Sequence, residues 1–460
     1  MMLKNLEKGK RIHMIGIGGV SMSGLAEIAL NMGYKLSGSD MNESDTVMNL
    51  RKNGIEVFIG HNAKNVIGAD LVVYTAAIKK ENPELVHAHE LNIATMERSE
   101  FLGELTKLYD ETIGICGTHG KTTTTSMVAL AFLNAGADPT IQVGADYLKE
   151  IGSNYRVGNS PYFIIESCEY VESFLKFHPE TATLLNIEED HLDYYRDLEH
   201  IKSAFRKFVE LVPERGFVVY NKDDLNCCDV VKNLKCNVIS FGVKDTTADW
   251  IATDIVLKPN GYYSFTATNG YDKIQINLNV LGYHNILNSL ATIATAYAHK
   301  LELTLVKEAL EEFSGASRRF EYRGTLNGAK VFDDYAHHPT EIQATIESAL
   351  ALPHHKVWVI FQPHTYTRTA ALFDEFAHTF TDANNVILTD IYAAREVDTG
   401  IVSSPKLAEA INEISGNCEY MESFDEITAY LKEHVQENDI VLTIGAGNIT
   451  KLSHKLTEIN

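Results

Sequence analysis

The sequence predicts an α/β protein of three domains, each built on a largely parallel sheet, and three observations carry that reading. The chain has 460 residues, whereas single cores stop growing near about 250–300 residues and a domain commonly takes roughly 150. Three stretches repeat one rhythm: a short apolar strand, a glycine-containing turn, then a helix with a 3.6-residue apolar period. Between the second and third of these, Ser314-Gly315-Ala316-Ser317 reads as a linker.

The first stretch opens on a strand over residues 11–17. It turns at Gly18-Gly19 and enters a helix with Leu25, Ile28, Ala29 and Met32 on one face. Strands over 56–59 and 71–74 follow, and a helix over 99–108 leads onward. Gly16-Ile17-Gly18-Gly19 holds half of the glycine fingerprint that lets backbone approach a pyrophosphate at a helix N-terminus. The third glycine of that fingerprint would fall at Ser21, a departure. Asp40, after a strand, stands about where an acid would bind a ribose. Gly16, Gly18, Gly19 and Asp40 are therefore candidates for holding a nucleotide diphosphate.

The second stretch begins with a strand over 112–116 that runs into Gly117-Thr118-His119-Gly120-Lys121-Thr122-Thr123. Its helix covers 122–135 and stops at Gly136. Backbone N–H groups and a helix dipole converging on one spot suit an oligophosphate. Lys121 would reach the outer phosphates, and the hydroxyl of Thr122 or Thr123 would hold Mg²⁺. The strict pattern GxxxxGK[ST] is not met, because the position five before Gly120 is Ile115. The alternative is a tight turn before a core helix.

Buried strands are expected over 162–166, 181–185 and 216–220. Glu166 ends the first, with Glu169 just beyond. The second leads into Asn186-Ile187-Glu188-Glu189-Asp190-His191-Leu192-Asp193, which sets His191 among acids. Acidic turns at the ends of neighbouring strands suit Mg²⁺, which takes oxygen ligands; one acidic turn alone is ordinary solvated surface. Residues 249–278 alternate polar and apolar around Asn260-Gly261 and Asn269-Gly270, which predicts a small antiparallel patch. Helices over 285–299 and 305–312 close the stretch. His284, Asn285 and Asn288 share a face there, either as a nucleoside-binding edge or as an N-cap.

Past the linker, Arg318-Arg319-Phe320 offers a cation to a transferring phosphate, or a solvated basic pair. Strands over 330–334, 356–361, 385–388 and 440–444 alternate with helices. Asp333-Asp334-Tyr335-Ala336-His337-His338-Pro339 fits a transition-metal site or a polar substrate pocket equally well. In Phe361-Gln362-Pro363-His364-Thr365-Tyr366-Thr367-Arg368-Thr369, Arg368 is suited to gripping a carboxylate. Gly445-Ala446-Gly447-Asn448-Ile449 repeats the strand–glycine–helix theme.

Composition narrows the function classes. Hydrophobic residues make up 45% and charged residues 22%, as in folded soluble proteins. Forty Lys+Arg against 62 Asp+Glu give a formal charge of -22, which repels nucleic acid and anionic lipid. No apolar run reaches about 18 residues and Met1 to Lys10 is unlike a signal peptide, so a cytoplasmic protein without membrane insertion is expected. Six cysteines without CxxC spacing read as reduced thiols, Cys227-Cys228 included.

Taken together, GTHGKTT, the run from Glu166 to Asp193, GYHNILN, RRF, DDYAHHPTE, FQPHTYTRT and GAGNI resemble the Mur ligases, in family order and over nearly the whole chain. The resemblance implies a Rossmann-like UDP-sugar-binding domain over 1–108. It further implies a P-loop-like ATP-binding domain over 109–316 and a Rossmann-like domain over 317–460 that binds the amino acid and closes. The implied activity is ATP-dependent attachment of L-alanine to the lactyl carboxylate of UDP-N-acetylmuramate through an acyl phosphate, in peptidoglycan precursor synthesis, with ATP and Mg²⁺ as cofactors. By the same resemblance, Gly16, Gly18, Gly19 and Asp40 cradle UDP, and the loop from Gly117 through Thr118, His119, Gly120, Lys121 and Thr122 to Thr123 holds the ATP phosphates. Thr122, Glu166 and His191 position Mg²⁺, His284, Asn288 and Arg319 contact ATP, and Tyr335, His337 and Arg368 lie by the amino acid and the reacting carboxylate. One departure is Phe205, aligned where several members carry a carbamylated lysine, so that modification is not expected. A ligase adding a preformed peptide is the alternative within the fold. An NAD-dependent oxidoreductase would leave the Lys121 loop idle, and a nucleotide-switched binding module would leave the third-domain clusters unexplained.

Overall fold

A computed structural model describes the whole chain except residues 1, 2, 4, 5, 76, 145, 146 and 458–460. Three sheets follow one another along the chain. The first has five parallel strands in the order Glu56–Ile59, Lys35–Asp40, Arg11–Ile15, Leu71–Tyr74, Ala94–Glu97. Its strand order reverses beside Arg11–Ile15, the switch point at which ligands of open parallel sheets bind. The helix Val20–Asn31 is buried along Leu25, Ala26, Ile28 and Ala29, as its period predicts.

The second sheet has ten strands. Glu111–Cys116 lies between Thr181–Leu184 and Tyr162–Glu166, parallel to both. Its residues are almost all buried, which fits a continuous apolar run in a parallel sheet covered on both faces. At one end Trp250–Leu257, Tyr262–Thr268 and Lys273–Leu281 form the expected antiparallel patch, with turns at Gly261 and Gly270. The long helices Lys121–Asn134, His284–Ala298 and Leu303–Glu312 pack on one another over this sheet. Threonine and alanine side chains in the first two let them approach closely.

The third sheet runs Glu321–Leu326, Ala329–Asp334, Ile440–Ile444, Val357–Phe361, Asn385–Leu388, Cys418–Tyr420. Only the edge strand Glu321–Leu326 is antiparallel. Periodicity alone gave no sign of it, since Glu321-Tyr322-Arg323-Gly324 is polar and half exposed. All six cysteines are unpaired thiols, and Cys227 is buried. Among the described residues no helix is long and apolar enough to cross a membrane.

Candidate active site at the domain junctions

The glycine loop after Glu111–Cys116 is held in a backbone shape that side chains resist. Gly117 and Gly120 have φ of +144° and +80°. A Cβ on Gly117 would stand 2.9 Å from the Leu185 Cβ, and one on Gly120 2.9 Å from Asn288 Oδ1. The loop is thus clamped between the turn after Thr181–Leu184 and the helix His284–Ala298. Helix Lys121–Asn134 begins with no side-chain cap, so its first N–H groups remain for an external acceptor.

Lys121 folds over the loop: Nζ donates to Gly117 O at 2.5 Å, Thr118 O at 2.9 Å and Glu169 Oε1 at 3.0 Å. Burial opposes its charge, but Glu169, Cys168 and Glu166 together outweigh it and raise its pKa. Thr122 Oγ1 donates to Glu166 Oε2 at 2.9 Å, and Gly144 N donates to the same oxygen at 2.9 Å. Of the two loop threonines, Thr122 is the one facing Glu166, whereas Thr123 lines a cavity. The Thr122 hydroxyl and Glu166 carboxylate are hard oxygen donors of the kind Mg²⁺ takes.

One expectation needs correction. Glu166 and His191 do not end neighbouring strands, because the loop strand Glu111–Cys116 intervenes. The two residues instead flank the loop from either side, which the strand order imposes. Glu169 bridges the gap, its Oε1 standing 3.7 Å from His191 Nε2 while also accepting from Lys121. His191 itself adopts φ +54° and packs its ring 4.7 Å from that of Tyr170.

Beside the loop is a cavity of about 620 Å³ whose lining includes Gly120, Thr123, His284, Asn285, Asn288 and Arg319. Burial, and then the Arg319 charge, lower the His284 pKa to about 4, so its ring is neutral. Asn288 Nδ2 donates to Asn285 Oδ1, and Asn285 Nδ2 donates to Leu281 O, so the shared face is also locally tied. Arg319 crosses from the third domain, with Nη2 3.4 Å from Thr122 Oγ1.

A second cavity, of about 380 Å³, is lined by Tyr170, Asp190, His191, His364 and Arg368. Arg368 does grip a carboxylate, and that carboxylate is Asp190, reached by Nε at 3.0 Å and Nη2 at 2.8 Å. Burial pushes Asp190 up, but the charges of His191 and Arg368 win and hold it well below the carboxylate range. His337 Nδ1 donates to Tyr335 O at 3.0 Å, and burial lowers its pKa to about 3. Its ring stands edge-on to Tyr335 at 5.6 Å and to His364 at 6.0 Å, so Tyr335, His337, His364 and Arg368 form one row.

The first domain brings its own loop to this junction. Gly18 N donates to Asp40 Oδ2 at 2.9 Å, and a Cβ on Gly18 would stand 2.8 Å from that oxygen. Gly16, with φ +79°, turns the chain there, and Gly19 precedes the helix. Ser21, where the fingerprint has glycine, accepts from Arg98 Nη1 at 3.0 Å and Gln142 Nε2 at 3.2 Å. Gln142 pairs in register with Ile165, next to Glu166. The hydroxyl at position 21 therefore ties the first glycine loop to the edge of the central sheet that carries Glu166.

Several participants were not singled out from sequence. Asn186 brackets His119, accepting from its N–H at 2.7 Å and donating to its carbonyl at 3.1 Å. Glu341, the last residue of the DDYAHHPTE run, lies 3.0 Å from His119 Nδ1, a contact that crosses between domains. Gly144 is a lone glycine whose role appears only once Glu166 is in place; a Cβ there would stand 2.5 Å from the carboxylate. Phe205 is fully buried, edge-on to Phe174 at 5.4 Å, and is a core residue.

The family models for the Mur ligase family catalytic domain, the Mur ligase middle domain and the Mur ligase glutamate ligase domain match residues 11–110, 115–296 and 318–447. The chain belongs to the Mur ligase family. Among curated Mur ligases, it is 50% identical over 446 residues to the UDP-N-acetylmuramate–L-alanine ligase of Acetivibrio thermocellus, covering 97% of this chain and 95% of that protein. It is 49% identical to the enzyme of that name from Clostridium novyi, covering 98% of both. Among solved Mur ligase structures, UDP-N-acetylmuramate-alanine ligase from Thermotoga maritima superposes with a TM-score of 0.82 at 30% identity, covering 97% of this chain and 98% of that one. A murein peptide ligase from Psychrobacter arcticus gives 0.72 at 26%, with the same coverage.

Proposed function

We propose that this Mur ligase joins L-alanine to the lactyl carboxylate of UDP-N-acetylmuramate, consuming ATP and releasing ADP and phosphate, as a step of peptidoglycan precursor synthesis. The observation that carries the reading is the meeting of three parts at one place: the Lys121 loop, the Ser21-anchored glycine loop of the first domain, and Arg319 and Arg368 of the third. We assign residues 1–108 to UDP-sugar binding, 109–316 to ATP and 317–460 to the amino acid and closure.

A carboxylate resists an amine because its oxygen leaves poorly. A lactyl carboxylate oxygen attacking the γ-phosphorus, with ADP departing, gives an acyl phosphate. The alanine nitrogen then bonds to the acyl carbon, loses a proton, and the former carboxylate oxygen leaves with the phosphate. Lys121 and Arg319 supply the positive charge that phosphoryl transfer needs, and the N-terminus of helix Lys121–Asn134 orients the phosphates. Thr122, Glu166 and His191 are the residues we assign to Mg²⁺, which when bound neutralises phosphate charge. Gly16, Gly18, Gly19 and Asp40 take the UDP moiety, while His284, Asn288 and Arg319 line the nucleoside cavity. Tyr335, His337 and Arg368 face the amine side, where the closed third domain excludes water from the acyl phosphate.

Because both nucleotides are cytoplasmic metabolites, we place the reaction in the cytoplasm. Phosphate release with UDP-N-acetylmuramate, ATP and Mg²⁺, scanned over single amino acids and over the tripeptide, tests the assignment. L-alanine-dependent release supports it; release only with the tripeptide would assign a peptide ligase instead.

A further inference from the structure

We propose that the junction of the central and third domains carries a site for a borderline transition-metal cation of the Zn²⁺ kind, formed by His119, Glu188 and His338. One ligand atom from each lies within 4.8 Å of the others. His119 Nε2 is 3.3 Å and His338 Nδ1 4.0 Å from the same oxygen, Glu188 Oε2. Tetrahedral ligands at the 2.0–2.1 Å bond lengths of Zn²⁺ stand about 3.3 Å apart. Of the three pairs, His119–Glu188 already has that spacing, His338–Glu188 must shorten from 4.0 Å, and the two imidazole nitrogens lie within 4.8 Å.

The far side of each imidazole supplies the second argument. A metal-bound histidine normally offers its other ring nitrogen to a carboxylate or carbonyl, which fixes the tautomer and aims the lone pair at the ion. His119 Nδ1 is 3.0 Å from Glu341 Oε1, and His338 Nε2 is 3.0 Å from Glu189 O. Both rings are therefore braced from behind, with Nε2 of His119 and Nδ1 of His338 turned inward. The inward nitrogen of His338 now accepts only a 3.3 Å bond from Thr340 N, which a cation would replace at small cost. Two nitrogens and one oxygen disfavour Mg²⁺ and favour Zn²⁺ or Co²⁺. The set is separate from the oxygen donors Thr122 and Glu166.

The ligands come from two bodies. His119 and Glu188 sit on the central sheet and line the large cavity, whereas His338 caps the helix Pro339–Leu350 of the third domain. A cation held by all three binds only the closed arrangement and so stabilises it by mass action. Product release needs opening, so the ion would slow turnover rather than support it.

The test uses the full-length protein in excess Mg²⁺, titrated with Co²⁺, whose visible absorption reports coordination directly. Expected is a saturable, intense band of four-coordinate Co²⁺ that Zn²⁺ abolishes. Glu188→Gln and His338→Ala should each weaken Co²⁺ binding by about tenfold or more, while Glu166→Gln keeps the band. Circular dichroism checks folding, and the isosteric Glu188→Gln carries the test if His338→Ala does not fold. Absence of the band in the parent protein, its persistence at parental affinity in Glu188→Gln, or its loss in Glu166→Gln alone would overturn the proposal. A proton held by His119 between Glu188 and Glu341 would then account for the geometry.

Discussion

Arg368→Ala tests how the third domain is held shut. In the closed arrangement Arg368 and Asp190 are 11% and 7% exposed, and Asp190 Oδ1 receives both Nε and Nη2 of the guanidinium. Its other close donor is the N–H of His191 at 2.7 Å. Removing one member of a buried pair leaves the second charge uncompensated and costs about 3–5 kcal/mol. Water entering the adjoining 380 Å³ cavity would relieve part of that, so the low end applies. With the domains apart both groups are hydrated, and the cost falls on the closing equilibrium rather than on folding. A loss of about 3 kcal/mol lowers the closed-to-open ratio roughly 150-fold. Small-angle scattering with an ATP analogue and UDP-N-acetylmuramate should then show a radius of gyration that contracts in the parent protein but not in Arg368→Ala. Adding Asp190→Asn removes the stranded charge, so the double variant should close better than Arg368→Ala alone. If Arg368→Ala contracts like the parent, or if the double variant closes no better, the pair does not govern closure and the reasoning fails.

Other perturbations separate the parts of the site. Lys121→Ala should lower kcat by on the order of 3 kcal/mol in barrier while UDP-sugar binding, followed by calorimetry, stays near parental; near-parental turnover would exclude a role at the phosphates. Glu166→Gln should raise the Mg²⁺ concentration needed for half-maximal rate, with partial rescue at high Mg²⁺; an unchanged Mg²⁺ dependence would remove Glu166 from the ligand set. Gly144→Ala, whose Cβ would meet the Glu166 carboxylate at 2.5 Å, should give the same Mg²⁺ defect more weakly without touching the metal, as metal-dependent rates would reveal. Asp439 accepts from Trp358 Nε1 at 2.9 Å, Gln436 N at 3.0 Å and Lys356 N at 3.1 Å, so Asp439→Ala should destabilise the third domain by about 2–4 kcal/mol through orphaned donors. Although burial opposes it, hydrogen bonds from Gln436, Trp358 and His355 hold the Asp439 carboxyl low. Its stabilisation is therefore present above the ordinary carboxylate pKa of 3.8 and lost as pH falls through the lower folded value. Trp358 fluorescence during acid titration of the parent and the variant checks both points.

Much of this protein was legible in its sequence because the deciding physics is local. Strand period, helix period and turn chemistry placed Tyr162–Glu166, Asn385–Leu388 and Ile440–Ile444 at their observed bounds. They placed the strand–glycine–helix turn because Gly117, Gly120 and Lys121 are neighbours in the chain. The Asn-Gly turns gave the antiparallel patch for the same reason. Elements whose stability comes from a partner strand stayed hidden: Glu321–Leu326 and Tyr155–Arg156 are short or polar and exist because Ala329–Asp334 and Thr140–Gln142 supply their hydrogen bonds. The site divides along the same line. Which residues carry charge or a hydroxyl at a strand end could be read directly. Which of them meet could not, since Glu169 joins Lys121 to His191 only because Glu111–Cys116 lies between the two acidic turns. Arg368 finds Asp190 across 178 positions and His119 finds Glu341 across 222. Such pairings depend on how the three sheets dock, a long-range outcome of packing that no local pattern in the chain encodes.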